Sequence, residues 1–319
     1  MSGHPVHALD PFLVQFGSGF GIRWYGLAYV GAFLAGFAVL RSFARRGIGA
    51  LPESRVGDFI TWAALFGVLL GGRIGYLLFY DLEGFLANPL SIIRIWEGGM
   101  ASHGGILGLV LFTYFYARRH KVHWRDLGDD LVVAAPLGLF FGRCANFING
   151  ELYGRISTVP WAIRFPKELF DAGPETQREA IHRAVALDPR ATDLGSLIAA
   201  APENPALREA IAPLLAPRHP SQLYEAALEG LLLFAFLWVL RTRVRPARGV
   251  VTGWFFIGYA LARIAGEAFR EPDAALTWGL TRGQFLSLFM VLGGVAFLIA
   301  APRGPGRSGP GKVAETGRG

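Results

Sequence analysis

The sequence predicts an all-α integral membrane protein of seven transmembrane helices with a small mixed head segment on its outer face. Three observations carry that prediction. Hydrophobic residues make up 52% of the 319 residues and charged residues only 17%, with a mean hydropathy of +0.37, too apolar for an ordinary soluble domain. Seven apolar runs are each long enough to cross the roughly 30 Å hydrocarbon core, which takes about 17 to 25 helical residues. The basic residues cluster in alternate connections between those runs. The 42 glycines and 19 prolines fit this class, because helices packed in lipid tolerate both.

In chain order the runs are Ile22 to Leu40, Phe59 to Tyr80, Ala101 to Ala117, Leu127 to Ile148, Leu223 to Leu240, Val250 to Phe269 and Phe285 to Ala301. The stretch before the first, MSGHPVHALDPFL, lacks the basic start of a signal peptide. No small-residue cleavage site follows, so the run is expected to remain as a helix. Arg41, Arg45, Arg46 and Arg55 follow the first run, and Arg118, Arg119, Lys121 and Arg125 the third. Arg241, Arg243, Arg245 and Arg248 follow the fifth, and Arg303, Arg307, Lys312 and Arg318 the seventh. The opposite side has Arg23, Arg94 and a few around Arg282. This asymmetry places the N-terminus outside and the C-terminus inside. It also reads the net charge of +7 as topology and anionic-lipid contact, with no nucleic acid as partner.

The chain therefore divides into 1–148 (an N-terminal arm and helices one to four), 149–219 (the head segment), 220–301 (helices five to seven) and 302–319 (a solvated inner tail). The start of the head, ELYGRISTVPWAIRFP, has the aromatic and β-branched content of short strands. Its later part, rich in Ala, Pro and Glu, reads as short amphipathic helices. The lone Cys144 excludes a disulfide framework or a zinc cluster, and no histidine has metal-ligand spacing with carboxylates.

Ionisable residues inside spans are costly and are functional candidates by default. Tyr25 falls near the outer end of span one, Arg73 about two turns inside span two, and His103 at the outer start of span three. Arg143, Asn146 and Asn149 approach the outer end of span four, Tyr224 and Glu225 open span five, and Tyr259, Arg263 and Glu267 run up the outer half of span six. At about 1.5 Å per residue they gather within roughly 10 Å of the outer hydrocarbon boundary, at headgroup depth. Arg143 and Asn146 are three apart and Arg263 and Glu267 four apart, so each pair shares a helix face.

Two guanidinium groups converging in a low-dielectric pocket call for an anion, and a phosphodiester fits because guanidinium grips it at two points. The competing reading is structural, with Arg263 paired to Glu267 and Arg143 to Glu151. His103 is either a general base, since its ordinary pKa of about 6.5 suits that work, or a capping or interface residue. Its following glycines would let another backbone or a lipid approach closely. Cys144, beside Arg143, is either a reactive thiol or a packed and inert one.

Several strings carry a resemblance. SHGGILG from Ser102, GRCANFINGELYGR from Gly142, RHPSQLYEAALEG from Arg218 and GYALARIAGEAFREPD from Gly258 closely resemble signature segments of the bacterial prolipoprotein diacylglyceryl transferase family. IRWYGL from Ile22 and GGRIGY from Gly71 agree as well, in order along nearly the whole chain. Cys144 and the length of the 167–217 stretch depart from the family pattern.

The resemblance implies a multi-pass enzyme of the bacterial inner membrane, with periplasmic N-terminus and head and cytoplasmic C-terminus. Its partners would be phosphatidylglycerol, other membrane lipid and prolipoprotein signal peptides with a lipobox cysteine. It would move the diacylglyceryl group onto that cysteine thiol and release glycerol 1-phosphate, with no metal or organic cofactor. By the same resemblance His103 is the catalytic histidine, and Arg143 and Arg263 hold the lipid phosphate. Tyr25, Asn146, Glu151 and Glu267 match positions needed for activity, and Gly154, Tyr259 and Arg73 are expected at bound substrate. From the residues alone, a non-enzymatic phospholipid binder or lipid transporter with an outer-leaflet basic pocket remains the alternative.

Overall fold

The computed structural model describes residues 3–17, 20–94, 98–271 and 279–302. The expected tail from 303 onward, with its basic cluster, lies outside the described residues. The chain is mostly helical, and the apolar runs do form helices: α1 Trp24–Arg45, α2 Glu53–Tyr80, a short α3 Leu82–Ala87, α4 Ser102–Arg119 and α5 Trp124–Ile148. In the head lie α6 Pro174–Val185, α7 Leu194–Ala200 and α8 Pro205–Ile211. After them come α9 Ser221–Val244, α10 Val250–Glu267 and α11 Arg282–Ile299.

Among the described residues five helices, α1, α2, α5, α9 and α11, are long and apolar enough to cross a membrane. Seven were expected. The other two expected spans are the 18-residue helices α4 and α10. His103, Arg118 and Arg119 dilute the apolar character of the first, and Arg263 and Glu267 that of the second. The membrane-length helices leave large side chains uncovered, from 62% exposure at Leu232 to 77% at Ile299, a surface suited to lipid rather than water.

The helix ends differ from expectation for local reasons. Ile22 and Arg23, expected to open the first span, lie in strand β2 Phe20–Arg23, which pairs antiparallel with β1 Phe12–Gly17. The α2 helix begins six residues before Phe59, where Pro52 sets an extended N-cap and Glu53 places a negative charge in the first turn. Pro136 is accommodated inside α5. Two helices are locally unwound into π turns, α2 at Ala63–Leu69 and α9 at Ala226–Leu232 and Leu240–Val244. Such turns cluster at functional sites.

The chain forms two compact units. One contains residues 1–32, 136–233 and 256–292. Within it β3 Ile163–Arg164 pairs antiparallel with β4 Pro217–Arg218, and α6 to α8 enclose a small core of Leu169, Ala180, Ala184, Leu197, Leu207 and Ile211. Asp193 caps α7 by accepting from Ser196 N at 2.9 Å, and Asn204 caps α8 by accepting from Leu207 N at 3.1 Å. The N-terminal arm docks here through the His7 N–H, which donates to Arg164 O at 2.8 Å. The His7 ring stacks on Phe165, and burial lowers its pKa to about 4, so it docks as the neutral imidazole.

The second unit contains residues 33–135, 234–255 and 293–319. Gly67, Gly71 and Gly75 of α2 face Gly104 and Gly108 of α4, and a Cβ on Gly71 would stand 2.7 Å from Gly104 O and 2.8 Å from Gly108 Cα. Helices in lipid associate through such small-residue seams because close backbones maximise dispersion contact. Asp129 of α5 caps the start of α10, accepting from Gly249 N at 2.8 Å and Thr252 N at 2.9 Å. Asp130 accepts from Arg241 at 2.6 Å and from Ala50 N at 2.6 Å, and Arg241 also donates to Ile48 O. These buried charges fix the turn between α1 and α2.

The glycine seam makes a stability prediction. Gly71→Val forces two backbones apart and should lower the thermal unfolding midpoint in detergent by the equivalent of about 1–3 kcal/mol. Gly293→Val, at a position with nothing within 4 Å of an added Cβ, should leave the midpoint nearly unchanged. Equal effects of the two would mean that the seam does not hold the helices.

Candidate active site

The first unit gathers ionisable side chains from three helices. The α5 helix supplies Arg143, α9 supplies Glu225 and Glu229, and α10 supplies Arg263 and Glu267, with Arg270 just beyond its end. Arg143 Nε lies 3.1 Å from Glu225 and its Nη2 3.1 Å from Glu229. Arg263 donates through Nη1 to Glu225 at 2.8 Å and to Glu229 at 3.4 Å, and its Nη2 meets Glu267 at 2.5 Å. Arg270 reaches Glu225 at 3.4 Å.

Each guanidinium is thus held by two or more carboxylates, except that Arg270 contributes one such contact to the cluster. Desolvating so many charges is costly, and mutual pairing offsets it only when geometry is close. Glycines permit that closeness: a Cβ on Gly266 would stand 3.2 Å from Glu225 Cγ, and one on Gly283 3.0 Å from Arg263 Nε. Between Glu225 and Glu229 the helix runs through a π turn.

Exposure within the cluster is uneven, and the unevenness matters. The side chains of Arg143 and Arg263 are 16% and 14% exposed, whereas Glu225 and Glu229 are 0% exposed and Glu267 4%. The arginines therefore form the approachable face and the carboxylates the floor. By exposure, the two guanidinium groups are more accessible to an anion than Glu225, Glu229 or Glu267.

One turn along α5, Asn146 Nδ2 donates to the Tyr25 hydroxyl and to Glu151 Oε1, both at 2.9 Å. Lys167 Nζ stands 3.8 Å from Glu151, and the Gln222 side chain donates to Glu151 O at 2.6 Å. The structure thus brings Tyr25, Asn146 and Glu151 together, and brings Arg143, Arg263 and Glu267 together.

The expected structural pair Arg263 with Glu267 is present, but the expected pair Arg143 with Glu151 is not. Arg143 turns to Glu225 and Glu229, and Glu151 is taken by Asn146. Glu229 and Arg270 were missed from sequence. The available signal was the LYEAALEG string, where two carboxylates four residues apart sit in an apolar run and need cationic partners. Tyr259 lies on α10 within electrostatic range of Arg143, Arg263, Glu225 and Glu229.

Gly154, expected beside substrate, has a local structural duty. A Cβ there would stand 2.7 Å from His219 O, and its N–H donates to that same oxygen at 2.9 Å. The two remaining candidates belong to the second unit. Arg73 is buried and its guanidinium is spent on backbone carbonyls, donating to Ser91 O at 2.5 Å, to Gly99 O at 3.2 Å and to Gly98 O. His103, in the first turn of α4, is exposed. The N-cap of α4 is Ala101 and no side chain caps the helix, so the capping alternative for His103 has no bond behind it. Its glycine neighbours receive another backbone, that of α2.

Comparison with known proteins covers nearly the whole chain. The family model described as prolipoprotein diacylglyceryl transferase matches residues 11–300. A phosphatidylglycerol–prolipoprotein diacylglyceryl transferase of Rhodospirillum centenum is 43% identical over 97% of this chain and 97% of its own. The protein of the same name from Rhodospirillum rubrum is 41% identical over 96% and 97%, and that from Bdellovibrio bacteriovorus 39% identical over 96% and 96%. A match from the first strand to the last membrane-length helix takes in both arginines, the carboxylates beneath them and His103. This multi-pass membrane protein belongs to the prolipoprotein diacylglyceryl transferase family.

Proposed function

We propose that the chain transfers the diacylglyceryl group of phosphatidylglycerol to the lipobox cysteine thiol of a prolipoprotein, forming a thioether and releasing glycerol 1-phosphate. The observation that carries the reading is the pair Arg143 and Arg263, approachable above a floor of buried carboxylates, in a chain matched end to end by relatives bearing that enzyme's name. Bond changes follow from the chemistry. The cysteine S–H is deprotonated, sulfur attacks glycerol C3, the C3–O bond breaks, and its electron pair stays on the departing phosphate monoester. Negative charge grows on that phosphate, and guanidinium hydrogen bonds that tighten there accelerate the step.

In this reading His103 takes the thiol proton, because a free cysteine with pKa about 8.5 is mostly protonated at neutral pH. Tyr259 joins the arginines at the phosphate. Tyr25, Asn146, Glu151 and Glu267 position them, and Gly154 and Arg73 act through the backbone they hold. All seven apolar runs cross the bacterial inner membrane, α4 and α10 included. The N-terminus and the 149–219 head are periplasmic and the C-terminus is cytoplasmic.

Incubation of the detergent-solubilised protein with phosphatidylglycerol and a lipobox peptide should release glycerol phosphate and lipidate the cysteine. Binding without release would favour a lipid binder or transporter. In that assay Arg143→Lys and Arg263→Lys should each lose most activity, since an ammonium keeps the charge but not the planar two-point grip. Near wild-type turnover by either would remove the two-point grip at that position.

His103→Gln should leave lipid binding nearly intact and cut turnover by roughly two to four orders of magnitude, the usual worth of a general base. Raising the pH toward the thiol's own pKa should partly restore it. A variant that turns over normally would take His103 off the catalytic list. For topology, single cysteines at 170–215 in a Cys144→Ser background should react with an impermeant thiol reagent added outside, and those at 120–126 or 243–248 should not. Labelling of both sets would overturn the orientation.

A further inference from the structure

The charge balance of the site has a consequence for binding. Within the cluster three guanidinium groups, Arg143, Arg263 and Arg270, face three carboxylates, Glu225, Glu229 and Glu267. Among the described residues these charges balance before any ligand arrives. A phosphodiester monoanion seated on Arg143 and Arg263 draws their hydrogen bonds away from the floor and adds one negative charge to a poorly solvated region. Such an excess is relieved most cheaply by protonating a carboxylate.

The contacts distinguish the three carboxylates. Glu267 keeps the Nη2 arm of Arg263 at 2.5 Å. Glu225 keeps Arg270 at 3.4 Å. Glu229 is bonded by Arg143, at 3.1 and 3.3 Å, and by Arg263 at 3.4 Å, the two groups that the phosphate claims. Among the described residues, the ionisable groups facing Glu229 are Arg143 from α5, Glu225 from its own helix, and Tyr259 and Arg263 from α10. Of these only the two arginines oppose its negative charge.

We infer that the phosphodiester headgroup binds at Arg143 and Arg263 together with one proton, and that Glu229 takes that proton. The inference rests on the proposed reading that this cluster is the lipid phosphate site, and it makes Glu229 a positioning residue acting through the arginines. The linkage sign is fixed: a proton taken up on binding strengthens affinity as pH falls. Affinity for the lipid should drop by about tenfold per pH unit where uptake is complete.

The test is calorimetry of the full-length protein in detergent with a short-chain phosphatidylglycerol, run at one pH in buffers of different ionisation enthalpy. A phosphodiester does not titrate near neutral pH, so uptake belongs to the protein. The slope of measured enthalpy against buffer enthalpy should give about one proton per lipid, and diacylglycerol, which lacks the phosphate, should give none. Glu229→Gln should bring the slope near zero and make affinity independent of pH. Infrared difference spectra should show a protonated-carboxyl band when lipid is added to the wild type, and Glu229→Gln should abolish it.

Wild-type binding and turnover with zero slope and flat affinity would overturn the inference while leaving the proposed activity intact. An unchanged slope in Glu229→Gln would overturn the assignment to Glu229. Failure of the wild type to bind or turn over phosphatidylglycerol would instead sink the reading on which the inference rests. The wild-type slope and infrared band decide the linkage even if the variant does not fold.

Discussion

Pairing of buried guanidinium with buried carboxylate is the constraint around which the first unit is built. A lone arginine or glutamate at membrane depth costs several kcal/mol even after relaxation, so Arg143 and Arg263 can stand in an apolar helix bundle only because Glu225, Glu229 and Glu267 stand within bonding distance. Those carboxylates reach the arginines from other turns and another helix. That in turn requires α9 and α10 to approach closely, which Gly266 permits, and the start of α11 to close over the pair, which Gly283 permits. The π turn between Glu225 and Glu229 belongs to the same requirement, because it lies on the stretch that presents both carboxylates.

The second unit solves the same problem with different parts. Its buried Asp129 takes two backbone N–H groups and the Thr252 hydroxyl at the start of α10. There the helix macrodipole supplies the positive end. Asp130 takes Arg241 and a backbone N–H. Arg73 donates to carbonyl oxygens of the loop that follows α2. Backbone groups thus bond all three buried charges, which ties helix ends to loops and leaves the glycine seam between α2 and α4 to bring the helix bodies together.

What was legible in the sequence follows the range of each interaction. Helices α1, α5 and α9 could be read from apolar runs because lipid imposes length and composition locally. The pairs Arg143 with Asn146 and Arg263 with Glu267 could be placed on common faces because helix periodicity is local too. The partner of Arg143 was not legible. Glu151, eight residues along the chain, was the obvious candidate, yet Asn146 at 2.9 Å takes it while Glu225 and Glu229, some eighty residues away, take the arginine. Strand β1 was also missed, since FLVQFG shows no clean alternation and pairs with β2 through two register irregularities. Contacts of Gly154 with His219 and Phe269 depend on three segments meeting, which no window of sequence contains.

On the proposed reading, arginines already engaged by carboxylates look at first like a waste of binding energy, since a phosphate must displace bonds that exist. Rate is set by the difference between ground state and transition state, and uniform tightness does not raise it. Free guanidinium groups would hold the substrate phosphodiester strongly and the product monoester, with its extra negative charge, more strongly still, so release would become slow. Carboxylates 3.1 Å from Arg143 and 2.8 Å from Arg263 compete with both the substrate lipid and the product for the same donors. Because they are buried while the arginines are partly exposed, they do so without repelling an incoming anion at the surface. The floor therefore weakens the bound states at either end of the reaction, and the guanidinium groups exert their full pull only where charge is growing on the departing phosphate.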